Sequence, residues 1–283
     1  MSEIQERLLI VAVDIDFLRE NYFTYDKPVP YQINKNEYLY INPVRLEDSW
    51  AFLQSANVLK IDKNALNSVE IIQMSYLQFL AQVLLQEKKM LDSFVNILLL
   101  CLDFHYPEFI VMNCKIVLSD KEKQITINGK QFDDIRKIIL YQNILHYDDE
   151  YVNPELKKAM EDMDRLKNKT YELPSLERKM AIISSHSGIT KAEQMKMSYR
   201  SHELLFEEVC GEIEHNAIYP LVTAFGKTKD YEHYIYKKKK GKYDKYITSV
   251  EDFSRSMGGK GQVNQTTGNT SSNLQQQFNS FNQ

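Results

Sequence analysis

Helix start and stop signals follow one another so closely between residues 153 and 193 that this part of the chain has room only for short helices. Asn153-Pro154 places a proline in the first helical turn, where its missing N–H would have had no helical partner anyway. Leu173-Pro-Ser-Leu-Glu177 opens a second helix, and Ser187-Gly188 closes it with a glycine free to adopt the left-handed C-cap conformation. Thr190-Lys-Ala-Glu193 matches a capping box for a third. The first helix, through Lys169, turns Leu156, Met160, Met163 and Leu166 inwards. The third is expected to run past Tyr199 to Cys210 and weaken at Gly211, with a fourth over Glu212–Ala224 kinked or broken at Pro220.

The first half carries other signals. Leu8–Val13 and Tyr38–Ile41 are short apolar runs punctuated by Pro28, Pro30 and Pro43, and read as strands. Asn64 caps a helix to about Gln86 whose Leu66, Val69, Ile72, Tyr76, Phe79, Leu80 and Val83 recur at spacings of three and four, so one face is core. Residues 90–104 are a second apolar segment whose length does not by itself separate a buried helix from a buried strand, with helix the expected reading. Phe109–Leu118 reads as a strand, Ser119–Gln124 as a turn and Ile125–Lys130 as the returning strand, with Asn128-Gly129 a tight turn at the exit. Asp133 and Asp134 then open a helix over Ile135–Gln142.

The fold class is therefore α+β and predominantly helical. An N-terminal α+β domain, 1–148, contains the β-hairpin near 109–128, and an all-helical domain spans 150–257. Residues 258–283 form a polar tail rich in Gln, Asn and Gly, which buries too little apolar area to offset its ordering entropy and is expected to be disordered. The hydrophobic fraction of 43% and charged fraction of 26% suit a chain that folds around a core.

Cys101, Cys114 and Cys210 lie far apart in apolar or helical runs, which fits reduced, buried thiols in a reducing compartment. The charged N-terminus implies no export signal, and the apolar run 94–102 falls short of the ~20 residues that span a bilayer. Intracellular residence and no membrane partner are expected. A net charge of −4 argues against nucleic-acid binding over the whole surface.

Signals for chemistry are sparse. The one glycine cluster, Gly258, Gly259 and Gly261, follows no strand and sits in the tail, so it is no phosphate loop. His105, His146, His186, His202, His215 and His233 never pair at i, i+4 or stand beside a cysteine at zinc spacing. Ser184-Ser185-His186 puts a nucleophile beside a base, but adjacency makes no triad, and a polar helix end explains it as well. Asp133-Asp134 and Asp148-Asp149-Glu150 are acid pairs available for acid–base or metal work, or equally dipole complements and solvated loops. Met160, Met163, Met180, Met195 and Met197 serve either as core filler or as an adaptable binding surface. No catalytic residue, metal or cofactor is expected.

The strongest local feature is the segment 227–246, where Tyr231, Tyr234, Tyr236, Tyr243 and Tyr246 alternate with Lys237, Lys238, Lys239, Lys240, Lys242 and Lys245. In a single-stranded nucleic-acid binder the lysines neutralise phosphates while tyrosines stack on bases, each stack worth ~1–3 kcal/mol. The same residues also read as a solvated lysine run whose stems cover apolar surface, or as a site for an anionic protein. Arginine, the better phosphate fork, is absent.

From the hairpin to Met257, the order of motifs resembles tail-assembly chaperones and baseplate-assembly proteins of tailed bacteriophages of Gram-positive hosts. The resemblance runs through Ile125-Thr-Ile-Asn-Gly-Lys130, Phe132–Asn143, Asn153-Pro-Glu155, Leu173-Pro-Ser-Leu-Glu177, Gly188-Ile-Thr190, Met197-Ser-Tyr-Arg200 and the Tyr-Lys run closing at Tyr246. It implies a non-enzymatic morphogenesis protein, chaperone or structural, that binds a tail component such as the tape-measure protein or a hub subunit. The implied setting is the host cytoplasm, with virion association also implied.

Overall fold

In a computed structural model, the structure describes residues 13–66, 68–105, 107–112, 114–120, 123–149, 154–167, 174–226 and 235. The fold is α+β and predominantly helical. It begins with α1 (Ile15–Asn21), whose N-cap Asp14 accepts from the Phe17 N–H, and continues into the antiparallel pair β1 (Val29–Asn34) and β2 (Glu37–Ile41). Short helices follow: α2 (Ser49–Ser55), α3 (Asn57–Lys60), α4 (Val69–Gln73) and α5 (Tyr76–Gln82). Then come α6 (Lys88–Cys101), the meander β3 (Glu108–Met112), β4 (Lys115–Asp120), β5 (Lys123–Asn128), and α7 (Gly129–Asn143). The remaining described helices are α8 (Pro154–Lys167), α9 (Leu176–Ser187), α10 (Lys191–Lys196) and α11 (Tyr199–Ala224).

The core forms where two amphipathic helices meet the inner face of the meander. Helix α6 turns Phe94, Ile97, Leu98 and Cys101 inwards, and α7 contributes Phe132, Ile135, Ile138 and Ile139. The sheet supplies Ile116 and Leu118 from β4 and Ile125 and Ile127 from β5, the alternate positions that a pleated strand presents to one side. Phe94 stands edge-on to Phe109 at 5.1 Å between ring centres, a favoured aromatic arrangement. Val29, Leu39 and Ile41 of the first hairpin join the same core.

Polar groups tie the segments to this core. Buried Asn143 accepts from the Val44 N–H (2.7 Å) and donates to Ile139 O (2.9 Å). Arg136 donates through Nε to Leu59 O and covers the Tyr76 ring, while the Tyr76 hydroxyl donates to Val58 O. The C-terminal helices are held to the first half by a short antiparallel bridge: the Leu46 N–H donates to Met197 O and the Tyr199 N–H to Val44 O. Asp26, in the left-handed conformation at φ 52°, accepts from the hydroxyls of Ser198 (2.6 Å) and Ser201 (2.8 Å) at the start of α11. All described residues belong to one compact unit, Met1–Tyr236.

Several expectations hold and several need correction. The caps at Ser175, Gly188 (φ 77°) and Thr190–Glu193 form where the sequence places them. The helix expected over 64–86 is instead divided, because Ser68 and Ser75 each accept an N–H three residues on and restart the chain. Ser75-Tyr-Leu-Gln78 is a capping box, a signal present in the sequence but outweighed by the longer apolar period. Phe109–Leu118 is not one strand, since β3 ends at Met112 and β4, starting at Lys115, pairs back on it antiparallel, which makes a three-stranded meander. Asn128-Gly129 is no hairpin turn. Asn128 is the N-cap of α7, which starts at Gly129 and not near Ile135. A Cβ on Gly129 would meet the Ser75 side chain at 3.3 Å, so the glycine permits the close approach of α7 to α5.

In the C-terminal helices, Ser198 caps a new helix after a break at Met197, and α11 then runs 26 residues through Gly211 and Pro220. One interior glycine costs only ~1 kcal/mol, too little to end a helix that is packed at its first turns. Leu156, expected to face inwards, is exposed, whereas Met160 and Met163 are half-buried. Residues 8–12, Asn153 and the tail 258–283 lie outside the described residues, as does the Leu166 side chain.

Candidate functional site

The lysine–tyrosine residues singled out from the sequence, Tyr231, Tyr234, Tyr236, Lys237, Lys238, Lys239, Lys240, Lys242, Tyr243, Lys245 and Tyr246, lie outside the described residues. Within that segment only Ile235 is described, and it is exposed.

The groups weighed for chemistry are engaged elsewhere. Ser184 Oγ donates to Ile189 O (2.8 Å) and accepts from Gln194 Nε2 (2.9 Å), while His186 Nε2 pairs with Glu212 Oε2 at 2.9 Å. Ser185 and Ser187 donate to the carbonyls of Ile182 and Ile183. The motif is thus split between a buried knot and a surface ion pair. Asp134 accepts from the Tyr31 hydroxyl (2.9 Å), and Asp149 accepts from the Tyr141 hydroxyl (2.6 Å), so each acid fixes a tyrosine. Burial pushes the Asp133 carboxyl up, against the opposing pull of Arg136 and Lys63. These acids join helices and strands to one another.

The buried knot is the most developed polar cluster. Gln194, fully buried, donates to Met180 O, Ser184 Oγ and Ile189 O, and its Oε1 lies 3.2 Å from His202 Nε2. His202 is itself fully buried. Beside it, Lys179 and Glu203 pair at 2.6 Å; burial acts to raise the Glu203 carboxyl, but the neighbouring His202 and the Lys179 ammonium outweigh this and hold it below the usual range. The cluster seats α9 and α10 on α11.

Cys101 is buried, and burial drives its thiol well above the usual range. Cys114 corrects the expectation of buried thiols: it sits exposed at φ 59° just before β4. Among the described residues no group of three or more His, Cys, Asp or Glu is placed to hold a metal ion, and no helix is long and apolar enough to cross a membrane. A cavity between α6, the sheet and α7, lined by Leu59, Phe94, Leu98, Leu118 and Phe132, offers ≈ 10 Å³, the lower limit for one water. Its apolar walls make it a packing gap.

What distinguishes the molecule is apolar surface. Leu66 (45% exposed), in a 3-10 turn before α4, and Val69 (70%) and Ile72 (42%), within α4, are exposed. The sequence predicts these as a core face, continuous with Tyr76, Phe79 and Leu80. The break before Ser75 lets the second group turn into the core while the first faces solvent. Trp50, the one tryptophan, is 75% exposed at the start of α2. A further apolar region lies at the end of α11. No family model, curated protein or solved structure matches the chain.

Proposed function

We propose that the protein is a non-enzymatic phage tail or baseplate morphogenesis factor, an assembly chaperone or structural component, acting in the host cytoplasm or on the virion by binding other proteins. The observation that carries this reading is the exposure of Leu66, Val69 and Ile72, large apolar side chains left on the surface where the chain breaks before Ser75. Large apolar side chains left exposed on a folded body are available for contact with another apolar surface. A hydrophobic segment of a tape-measure or hub protein supplies one, and the order of motifs from Ile125 to Tyr246 supports that context.

Mass spectrometry of purified particles and of a tail-assembly lysate tests the proposal, with the protein expected in at least one of them. Its absence from both overturns the reading. Substituting Val69→Glu together with Ile72→Glu is expected to remove the chain from its complex without changing its fold, since both side chains already face solvent.

The alternation of lysine and tyrosine over 227–246 favours a second reading, a single-stranded nucleic-acid contact. Anisotropy of a labelled oligonucleotide at rising ionic strength decides it: affinity falling steeply with salt supports phosphate contacts, and no binding at low salt removes them.

A further inference from the structure

The meander has one edge that no strand covers among the described residues. β4 lies between β3 and β5, so β3 is paired on one side only. Phe109 and Val111 of β3 pack against the core, while Glu108, Ile110 and Met112 are exposed, the last two at 60% and 63%. An antiparallel strand turns its backbone groups alternately to its two sides, so part of the β3 ladder points to the open edge. Proteins blunt such an edge with proline, lysine or a bulge. Glu108-Phe-Ile-Val-Met112 contains neither residue, and its register against β4 runs without a shift.

We infer that β3 is a self-association edge, on which β3 of a second copy pairs antiparallel about a two-fold axis at Ile110 normal to the sheet, joining the two meanders into one. The register of the sheet points to a second copy. On the exposed face Met112 stands beside Lys115, Ile110 beside Val117 and Glu108 beside Ser119. A two-fold axis at Ile110 sets that residue against its own equivalent, and sets Met112 against Glu108 of the other copy.

Each exposed row then continues across the axis with complementary chemistry. Lys115, Met112 and the second copy's Glu108 share one row, with the lysine and glutamate backbones roughly 10 Å apart, two strand spacings. Side chains of that length meet over Met112. Symmetry makes the contact twice, and neither Glu108 nor Lys115 is ion-paired among the described residues. On the inner face Phe109 meets Val111 of the other copy, an aromatic and β-branched pair of the kind that stabilises antiparallel strands. Parallel pairing in register instead places glutamate beside glutamate, which is unfavourable.

Sedimentation equilibrium of the purified full chain over a hundredfold concentration range tests this. The expected result is a reversible monomer–dimer equilibrium. Ile110→Lys opposes two lysines at the axis and is expected to weaken association about tenfold or more, with an unchanged circular dichroism spectrum and melting temperature because the side chain is already exposed. Glu108→Lys and Lys115→Glu are each expected to weaken association several-fold, and their combination in one chain to restore it, since the pair is remade with its signs reversed. A chain that stays monomeric throughout, a dimer undiminished by Ile110→Lys, or a double reversal no tighter than either single variant overturns the proposal. If Ile110→Lys melts early, the charge-reversal series decides alone, by the same criterion of recovery. The measurement involves the protein alone, so its outcome is independent of any role in phage assembly.

Discussion

The bond set around Asp26 joins residues 172 positions apart in sequence, and its removal measures how firmly the C-terminal helices are held to the first half. Asp26 Oδ1 accepts from two hydroxyls, and the Ser198 hydroxyl in turn accepts from the Ser201 N–H to cap α11. Hydrogen bonds to a charged group contribute about 1.5–3 kcal/mol each, and water recovers part of this at a half-exposed carboxylate. A negative charge at a helix N-terminus adds about 0.3–1 kcal/mol. Alanine also fits the left-handed conformation poorly, at about 1 kcal/mol.

Asp26→Ala is therefore expected to lose about 3 kcal/mol in urea unfolding. At about 2–4 °C per kcal/mol for a chain of this size, the melting temperature falls by about 6–12 °C. Asp26→Asn keeps one acceptor oxygen and tolerates φ 52°, so about 1 kcal/mol is expected. Amide exchange at Ser198 and Ser201 rises in the alanine variant. If Asp26→Ala melts within about 1 °C of the parent, or no earlier than Asp26→Asn, the bonds do not hold the two parts together.

Two further outcomes follow from burial. Burial pushes the Tyr76 hydroxyl up to about 12, partly countered by Arg136. The folded state therefore keeps a proton that the unfolded chain releases above its ordinary value near 10: the stabilisation is fully present below pH 10 and is lost as pH rises towards 12, by on the order of 3 kcal/mol. Tyr76→Phe is expected to lose about 1 kcal/mol at neutral pH, with its bond to Val58 O, yet to decline less steeply above pH 10 in urea titrations; an identical alkaline slope refutes the assignment. Thiol titration with a disulfide reagent is expected to modify Cys114 at once, the half-buried Cys210 more slowly and Cys101 only on unfolding, and rapid modification of Cys101 contradicts the packing of α6.

The sequence by itself determined the features whose cause lies within one turn of helix. Ser175, Thr190 and Glu193, and Gly188 act through bonds spanning three or four residues or through their own φ, so spacing alone locates them. Residues 90–104, open from sequence between helix and strand, became α6 with Phe94, Ile97, Leu98 and Cys101 inwards only in the packed structure. Tertiary structure decided what those periods face. Leu66, Val69 and Ile72 share spacing with Tyr76, Phe79 and Leu80, yet one group meets solvent and the other the core, because Ser75 restarts the helix. Periodicity states only that a helix has an apolar side. Whether that side is covered depends on residues distant in sequence, and here that dependence leaves Leu66, Val69 and Ile72 on the outside of the molecule.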